Sequence, residues 1–193
     1  MTKLLNRPLL AASLAALALT GSASFAHNHS HHKMSNPTVG GAAMMPAKNI
    51  VENASAAPNL TTLVAAVKAA GLVDTLSSPG PFTVFAPTNT AFDKLPDGTV
   101  GTLVKPENKG TLTKILTYHV VSGKLTAKDV SAAIKAGGGK ASLTTVAGEK
   151  LTARLSGNSI VITDAKGGQS AVTTADVMQS NGVVHVIDSV LLP

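Results

Sequence analysis

Pro81-Phe82-Thr83-Val84-Phe85-Ala86-Pro87-Thr88-Asn89-Thr90-Ala91-Phe92 is the stretch around which the rest of the chain has to be arranged. Phe82, Val84 and Ala86 alternate with Thr83 and Phe85, the period of two expected of a strand. Pro87 ends the ladder, because it has no N–H to donate and it restricts the residue before it. Thr88 or Asn89 then caps a short helix entered through Thr90, Ala91 and Phe92. The apolar side of this strand needs a partner. Val183-Val184-His185-Val186-Ile187-Asp188-Ser189-Val190-Leu191-Leu192-Pro193 provides one, and the fold is expected to be built on that pairing.

Working outward, the chain divides into helices first and hairpins later. Before the central stretch, Ile50 and Val51 begin a short apolar helix. Asn59 is expected to cap a second, with Leu60, Leu63, Val64 and Val67 on one face and Gly71 at its end. After it come a turn at Leu95-Pro96-Asp97-Gly98, a short helix from Thr99, and a helix from Pro106 to Leu116 with Leu112, Ile115 and Leu116 inward. Tyr118 to Val121 reads as a short strand. Thr126-Ala127-Lys128-Asp129 has the spacing of a capping box and opens a helix to Lys135. Residues 143–146, 151–155, 160–163 and 171–178 are β-branched runs separated by glycine-containing turns, the pattern of hairpins. This order gives an α+β domain. Gly137-Gly138-Gly139-Lys140 is not a phosphate loop, since Ile134 and Ala141 stand where that motif needs Gly and Ser or Thr.

Three segments carry a family resemblance. Thr83 to Phe92 resembles the first signature of the fasciclin (FAS1) domain, Asn181 to Pro193 its second, and Tyr118-His119-Val120-Val121 its central Tyr-His segment. Together they span nearly all of residues 47–193. The resemblance implies a twisted β-wedge of two packed sheets with short helices along one edge. It implies structural roles for Thr88, Asn89, Phe92, His185 and Asp188 within the motifs. It also implies a small secreted bacterial single-domain member that serves adhesion or interaction, with a protein, cell-surface component or matrix component as partner. Tyr118, His119, Val120 and Val121 match the segment associated with partner binding in animal relatives and are the candidate contact residues.

The first 26 residues read as a secretory signal. Lys3 and Arg7 precede an Ala/Leu run from Leu9 to Leu19, and Ser24-Phe25-Ala26 offers small residues for cleavage. The run is shorter than the ~20 residues of a spanning helix. The mature chain is therefore expected to be secreted or periplasmic, with no transmembrane segment. Residues 27–46 lack a sustained apolar period and read as a flexible leader containing His and Met. If cleavage follows Ala26, His29 becomes the third residue. A free amine, two amide nitrogens and an imidazole then suit square-planar Cu(II) or Ni(II), and His31, His32 and the Met thioethers add softer ligands, so that His27, His29, His31 and His32 are the candidate residues for Cu, Ni or Zn. No cofactor is expected elsewhere.

The chemistry of the rest is sparse. Removing Lys3 and Arg7 lowers the formal charge from +6 to +4, and the remaining lysines are scattered. The only mature aromatics are Phe82, Phe85, Phe92 and Tyr118, which argues against nucleic-acid binding. There is no cysteine, so a monomeric domain has to hold itself together by packing. His119 and His185 are the two histidines of the domain. Period-two spacing puts His185, Ile187 and Ser189 on one strand face and Asp188 on the other, a poor geometry for a triad. No Gly-x-Ser-x-Gly elbow is present. A non-enzymatic interaction module is the first reading. A metal-binding periplasmic protein acting through its leader is the second, and an exported hydrolase using His119 or His185 is the third.

Overall fold

The computed structural model describes residues 36–193; residues 1–26, read from sequence as a secretory signal, and His27, His29, His31 and His32 lie outside the described residues. The elements run β1 (Thr38–Val39), β2 (Ala42–Ala43), α1 (Ile50–Ala56), α2 (Thr61–Ala70), α3 (Val73–Ser77), β3 (Phe82–Pro87), α4 (Asn89–Asp93), α5 (Thr99–Leu103), α6 (Lys109–Tyr118), β4 (Val120–Ser122) and α7 (Ala127–Ala136). Four long strands and the final one follow: β5 (Lys140–Thr144), β6 (Lys150–Ser156), β7 (Ser159–Thr163), β8 (Gln169–Gln179) and β9 (Gly182–Ile187).

The two apolar stretches do pair. β3 and β9 run parallel, in register from Phe82 opposite Gly182 to Pro87 opposite Ile187. A parallel pair needs a long crossover, and here all of β4 to β8 is inserted between its two strands. Gly182 is required by close approach, because a Cβ there would collide with the backbone of Phe82.

The seven large strands lie in the order β4-β3-β9-β8-β7-β6-β5. Strand β8 belongs to two halves of this array. Its later residues pair with β9 and its earlier ones with β7. Register shifts between Val172 and Thr174 and between Thr174 and Val177 bend it in the middle, as bulges do. The halves then fold toward each other. The far edges meet where Val121 bridges Thr145 and the Val146 N–H donates to the Val120 carbonyl at 2.7 Å.

This wedge has two cores, and β3 and β9 face both. Val84, Ala86, Val184 and Val186 pack against the helices with Leu63, Val67 and Leu116. Phe85 and Ile187 point the other way, between the sheet halves, with Tyr118, Leu151 and Ile162. The alternation read in Phe82–Ala86 is therefore not inside against outside but one core against the other. Thr83 lies on the inter-sheet side, fully buried; its hydroxyl donates to the Gly123 carbonyl (2.7 Å) and accepts from the Leu125 N–H (2.9 Å). Two of the three expected caps form: Thr88 accepts from the Ala91 N–H in α4, and Thr126 and Asp129 make the reciprocal box of α7, whereas Asn59 does not cap α2. Asn49 and Glu52 form another box at α1.

The domain starts earlier than the sequence reading places it. Residues 36–46, read as leader, form a hairpin across Thr38–Ala43 and Val39–Ala42. Val39 and Met44 are buried in the helix-side core. Asn36 clamps the backbone of Met178, donating to its carbonyl (2.6 Å) and accepting from its N–H (3.3 Å). Gly40 and Gly41, both at positive φ, make the tight reversal possible. Only Val39 and Met44 of the segment are fully buried, with Ala42 packed beside them, which is too few to show an apolar period. Each fully buried side chain of this size is worth about 1.5–3 kcal/mol. A chain starting at Ala47 should thus unfold in urea with a stability about 3 kcal/mol below that of a chain starting at Asn36.

Candidate functional site

The Tyr118-His119-Val120-Val121 segment sits at the join between α6 and β4. The apolar face of α6 continues through Leu112, Ile115 and Leu116 to Tyr118, so the helix ends at Tyr118 and His119 is its C-cap. The strand expected from Tyr118 begins only at Val120. All four side chains are buried, from fully for Tyr118 to 5% exposed for Val120. The sequence reading offers them as a contact surface. The structure corrects this: the segment passes between the two cores, and its side chains are inaccessible to a partner.

Their polar atoms are used internally. Tyr118 Oη accepts from the Ala165 N–H (2.9 Å) and donates to the Lys150 carbonyl (3.3 Å). Burial raises its pKa, against the Ala165 bond, and the Asp164 and Glu149 charges add to the rise. His119 Nδ1 donates to the Ile115 carbonyl (2.8 Å) and Nε2 accepts from the Leu191 N–H (3.0 Å). That pair of partners sets a neutral ring with the proton on Nδ1. Burial lowers its pKa to about 4, opposed by the Ile115 bond and the Asp164 carboxylate.

His185 is the mirror case. Nε2 donates to the Leu125 carbonyl (2.9 Å) and Nδ1 accepts from the Asp176 N–H (3.3 Å). Burial lowers its pKa too, against the Leu125 bond and the Asp176 charge. The ring stacks on Phe85 at 5.7 Å between centroids. The Phe85 N–H in turn donates to the His119 carbonyl (2.9 Å). Phe85 thus joins the two histidines, whose ring nitrogens all bond to backbone.

The other motif residues are spread over different duties. Thr88 and Asn89 divide the capping work: Asn89 Oδ1 accepts from the Thr62 N–H (3.0 Å), and its Nδ2 donates to Thr61 Oγ1 (2.9 Å) and the Pro58 carbonyl (3.2 Å). It caps α2 across space, in the place expected for Asn59, whose Oδ1 accepts no bond. Phe92 fills the helix-side core. Asp188 accepts from the Ala171 N–H (2.9 Å) and lies 3.6 Å from Lys94 Nζ. Burial works to raise its pKa, but the Ala171 bond, Lys94 and two serine hydroxyls prevail and hold it low. Ser189 is bonded to Lys94 and Asp188 and not to His185, so no triad assembles.

The sequence reading missed a set of buried polar connectors. Asn181 Nδ2 donates to the Leu76 and Ser78 carbonyls, and its Oδ1 accepts from the Ile50 N–H. Asn53 bonds both backbone groups of Met45 and the side chain of Gln179. Asp164 accepts from the N–H groups of Lys166, Gly168 and Leu192. Asp176, at φ 56° in the bend of β8, accepts from the first N–H of α7. Asn-Gly at 181–182 reads only as a turn in sequence; the distant partners carry no local signal. An apolar cavity of about 30 Å³ between α1, α2 and β3 has room for little more than a water. Among the described residues no three His, Asp or Glu come together as a metal site, and no helix is long and apolar enough to cross a membrane.

The sequence profile of the fasciclin domain matches residues 58–193. Protein sll1483 of Synechocystis sp. is 53% identical over 152 residues, covering 79% of this chain and 77% of that one. The cell surface glycolipoprotein MPB83 of Mycobacterium bovis is 35% identical over 164 residues, 82% of this chain and 67% of its own. A solved structure of a FAS1 domain pair from the insect cell adhesion molecule fasciclin I superposes with a TM-score of 0.67 at 21% identity, over 76% of this chain and 51% of that one. The chain belongs to the fasciclin domain family, and its α+β wedge is the FAS1 fold.

The depressed histidine pKa makes stability depend on pH. With about 4 in the folded state and 6.5 unfolded, His119 binds its proton more readily in the unfolded chain. Its contribution is complete above about pH 6.5, falls as pH drops, and is lost near pH 4. The difference corresponds to about 3 kcal/mol. Urea midpoints should fall between pH 7 and pH 4, and the fall should be shallower in His119→Gln, which is less stable at pH 7 but cannot titrate.

Proposed function

We propose that the chain is an exported, monomeric interaction module that binds a protein, cell-surface component or matrix component and performs no covalent chemistry. The observation that carries this is the state of the domain's two imidazoles, His119 and His185: neutral, buried and with every ring nitrogen bonded to backbone, which leaves no free imidazole base beside a nucleophile among the described residues. The surface name of the mycobacterial relative and the secretory pattern of residues 1–26 support a secreted or periplasmic site of action. The contact surface then lies outside Tyr118–Val121. Fluorescently labelled protein starting at His27 should bind intact bacterial cells saturably, and heat-unfolded protein should not. Absence of saturable binding, or ester or peptide turnover lost in a folded His185→Ala variant, would overturn the reading.

A second reading rests on His27-Asn28-His29 directly after the expected cleavage point. The leader would hold Cu(II) or Ni(II) through the amine, two amides and His29, with His31 and His32 able to recruit Zn(II). Because residues 36–46 are part of the folded domain, the matched chain for comparison starts at Asn36. Calorimetric titration should give one-to-one Cu(II) binding by the chain from His27 and none by the chain from Asn36; equal heats from both would remove the leader site.

A further inference from the structure

The outer face of β5, β6 and β7 takes no part in either core. Val130 and Ile134 of α7 pack on the inner side of this sheet half with Leu143, Leu151 and Ala153, so the opposite side looks to solvent. Register places Lys140 directly opposite Arg154, Ser142 opposite Thr152 and Thr144 opposite Lys150. Thr163 of β7 and Gln169 of β8 continue the row from Thr152. Lys140, Lys150 and Arg154 are all exposed.

Like charges directly opposite one another on neighbouring strands repel. Neither Lys140 nor Arg154 has a carboxylate partner; among the described residues the ion pairs are Lys94 with Asp188 and Lys114 with Glu149. The two acids adjoining these strands are spoken for. Glu149 turns to Lys114, and Asp164 is buried on three backbone N–H groups. A face that holds opposed cations with no counter-charge of its own is complementary to an anion brought from outside.

We propose that this face binds a linear acidic polysaccharide, with its carboxylates at Lys140, Arg154 and Lys150 and its hydroxyls on the side chains between them. The proposal rests on the interaction-module reading and names the chemistry of the partner. Arg154 and Lys150 stand four residues apart on one strand, ~13 Å, a separation bridged by a polymer whose charge recurs along its length. Ser142, Thr152 and Gln169 offer both donors and acceptors, as sugar hydroxyls require. No aromatic ring stands on these strands to stack the bases of a single-stranded nucleic acid. Val161, half-buried opposite Arg154, is the large apolar side chain of this face, and the exposed Met45 and Val146 lie outside these strands, so the face offers a lone valine and no apolar cluster to insert into a lipid surface.

The test is a titration of the chain from His27 with alginate, a linear polyuronate, beside neutral dextran, phosphatidylglycerol vesicles and oligo-dT. Alginate should bind, more weakly as salt rises, and dextran should not. The double variant K140Q/R154Q should lose about tenfold in affinity. K68Q/K105Q, which removes equal charge from the helical side, should change it by less than about threefold. Both pairs are exposed, and unchanged urea midpoints would confirm that the variants fold. No alginate binding, equal loss in the two variants, or tighter binding of vesicles or oligo-dT would overturn the proposal. If K140Q/R154Q still binds cells saturably, the interaction module stands and this face is not its site. If the unaltered chain binds neither cells nor alginate, the module reading itself fails.

Discussion

The parallel pairing of β3 with β9 is the constraint on which the other contacts depend. Both strands are buried on both faces, as parallel strands usually are, so each must be apolar on alternate residues in two directions at once. One set, Val84, Ala86, Val184 and Val186, is covered by helices; the other, Phe85 and Ile187, by the second sheet half. Removing either cover would expose apolar area on the same two strands. The bend in β8 is therefore not a local irregularity. It is what lets one continuous sheet supply the lid for its own centre.

Burying a central pair this thoroughly creates a polar problem, because the loops at its ends also become buried. Asn181, Asn53, Asp164, Asp176 and Thr83 resolve it, each satisfying backbone groups that no regular ladder reaches. The two histidines belong to this group. Each uses one nitrogen as donor and the other as acceptor, in opposite tautomers, a task that suits imidazole because it offers one of each at fixed separation. Phe85 links them. In this domain the histidines read more simply as connectors than as reagents.

The sequence disclosed what depends on local pattern. The strand at Phe82–Pro87, the cap at Thr88, the box at Thr126–Asp129 and the late hairpins all follow from spacing within a few residues. What escaped depends on distant partners. Tyr118 extends a helix because Ile115 and Leu116 set its phase, although β-branched Val120 and Val121 follow one residue later. Asn89 looks like a cap for its own helix and serves another. Val39 and Met44 are too few to show a period, yet they tie residues 36–46 to the domain. The burial of Tyr118–Val121 is likewise a tertiary fact: four residues that look equally suited to a core strand or a contact edge are sorted by what packs over them.

The position of β9 in the sheet also has a consequence for how the chain comes to be folded. It follows every other strand in sequence yet lies between β3 and β8. Until residues 182–187 are available, β3 lacks its parallel neighbour, β8 lacks the strand its bend embraces, and neither core has its central wall. Such long-range closure is slow and cannot proceed piecewise from the amino end. A nascent chain thus cannot close either core until residues 182–187 have been made, and the segments before them wait unpaired for a strand that arrives late.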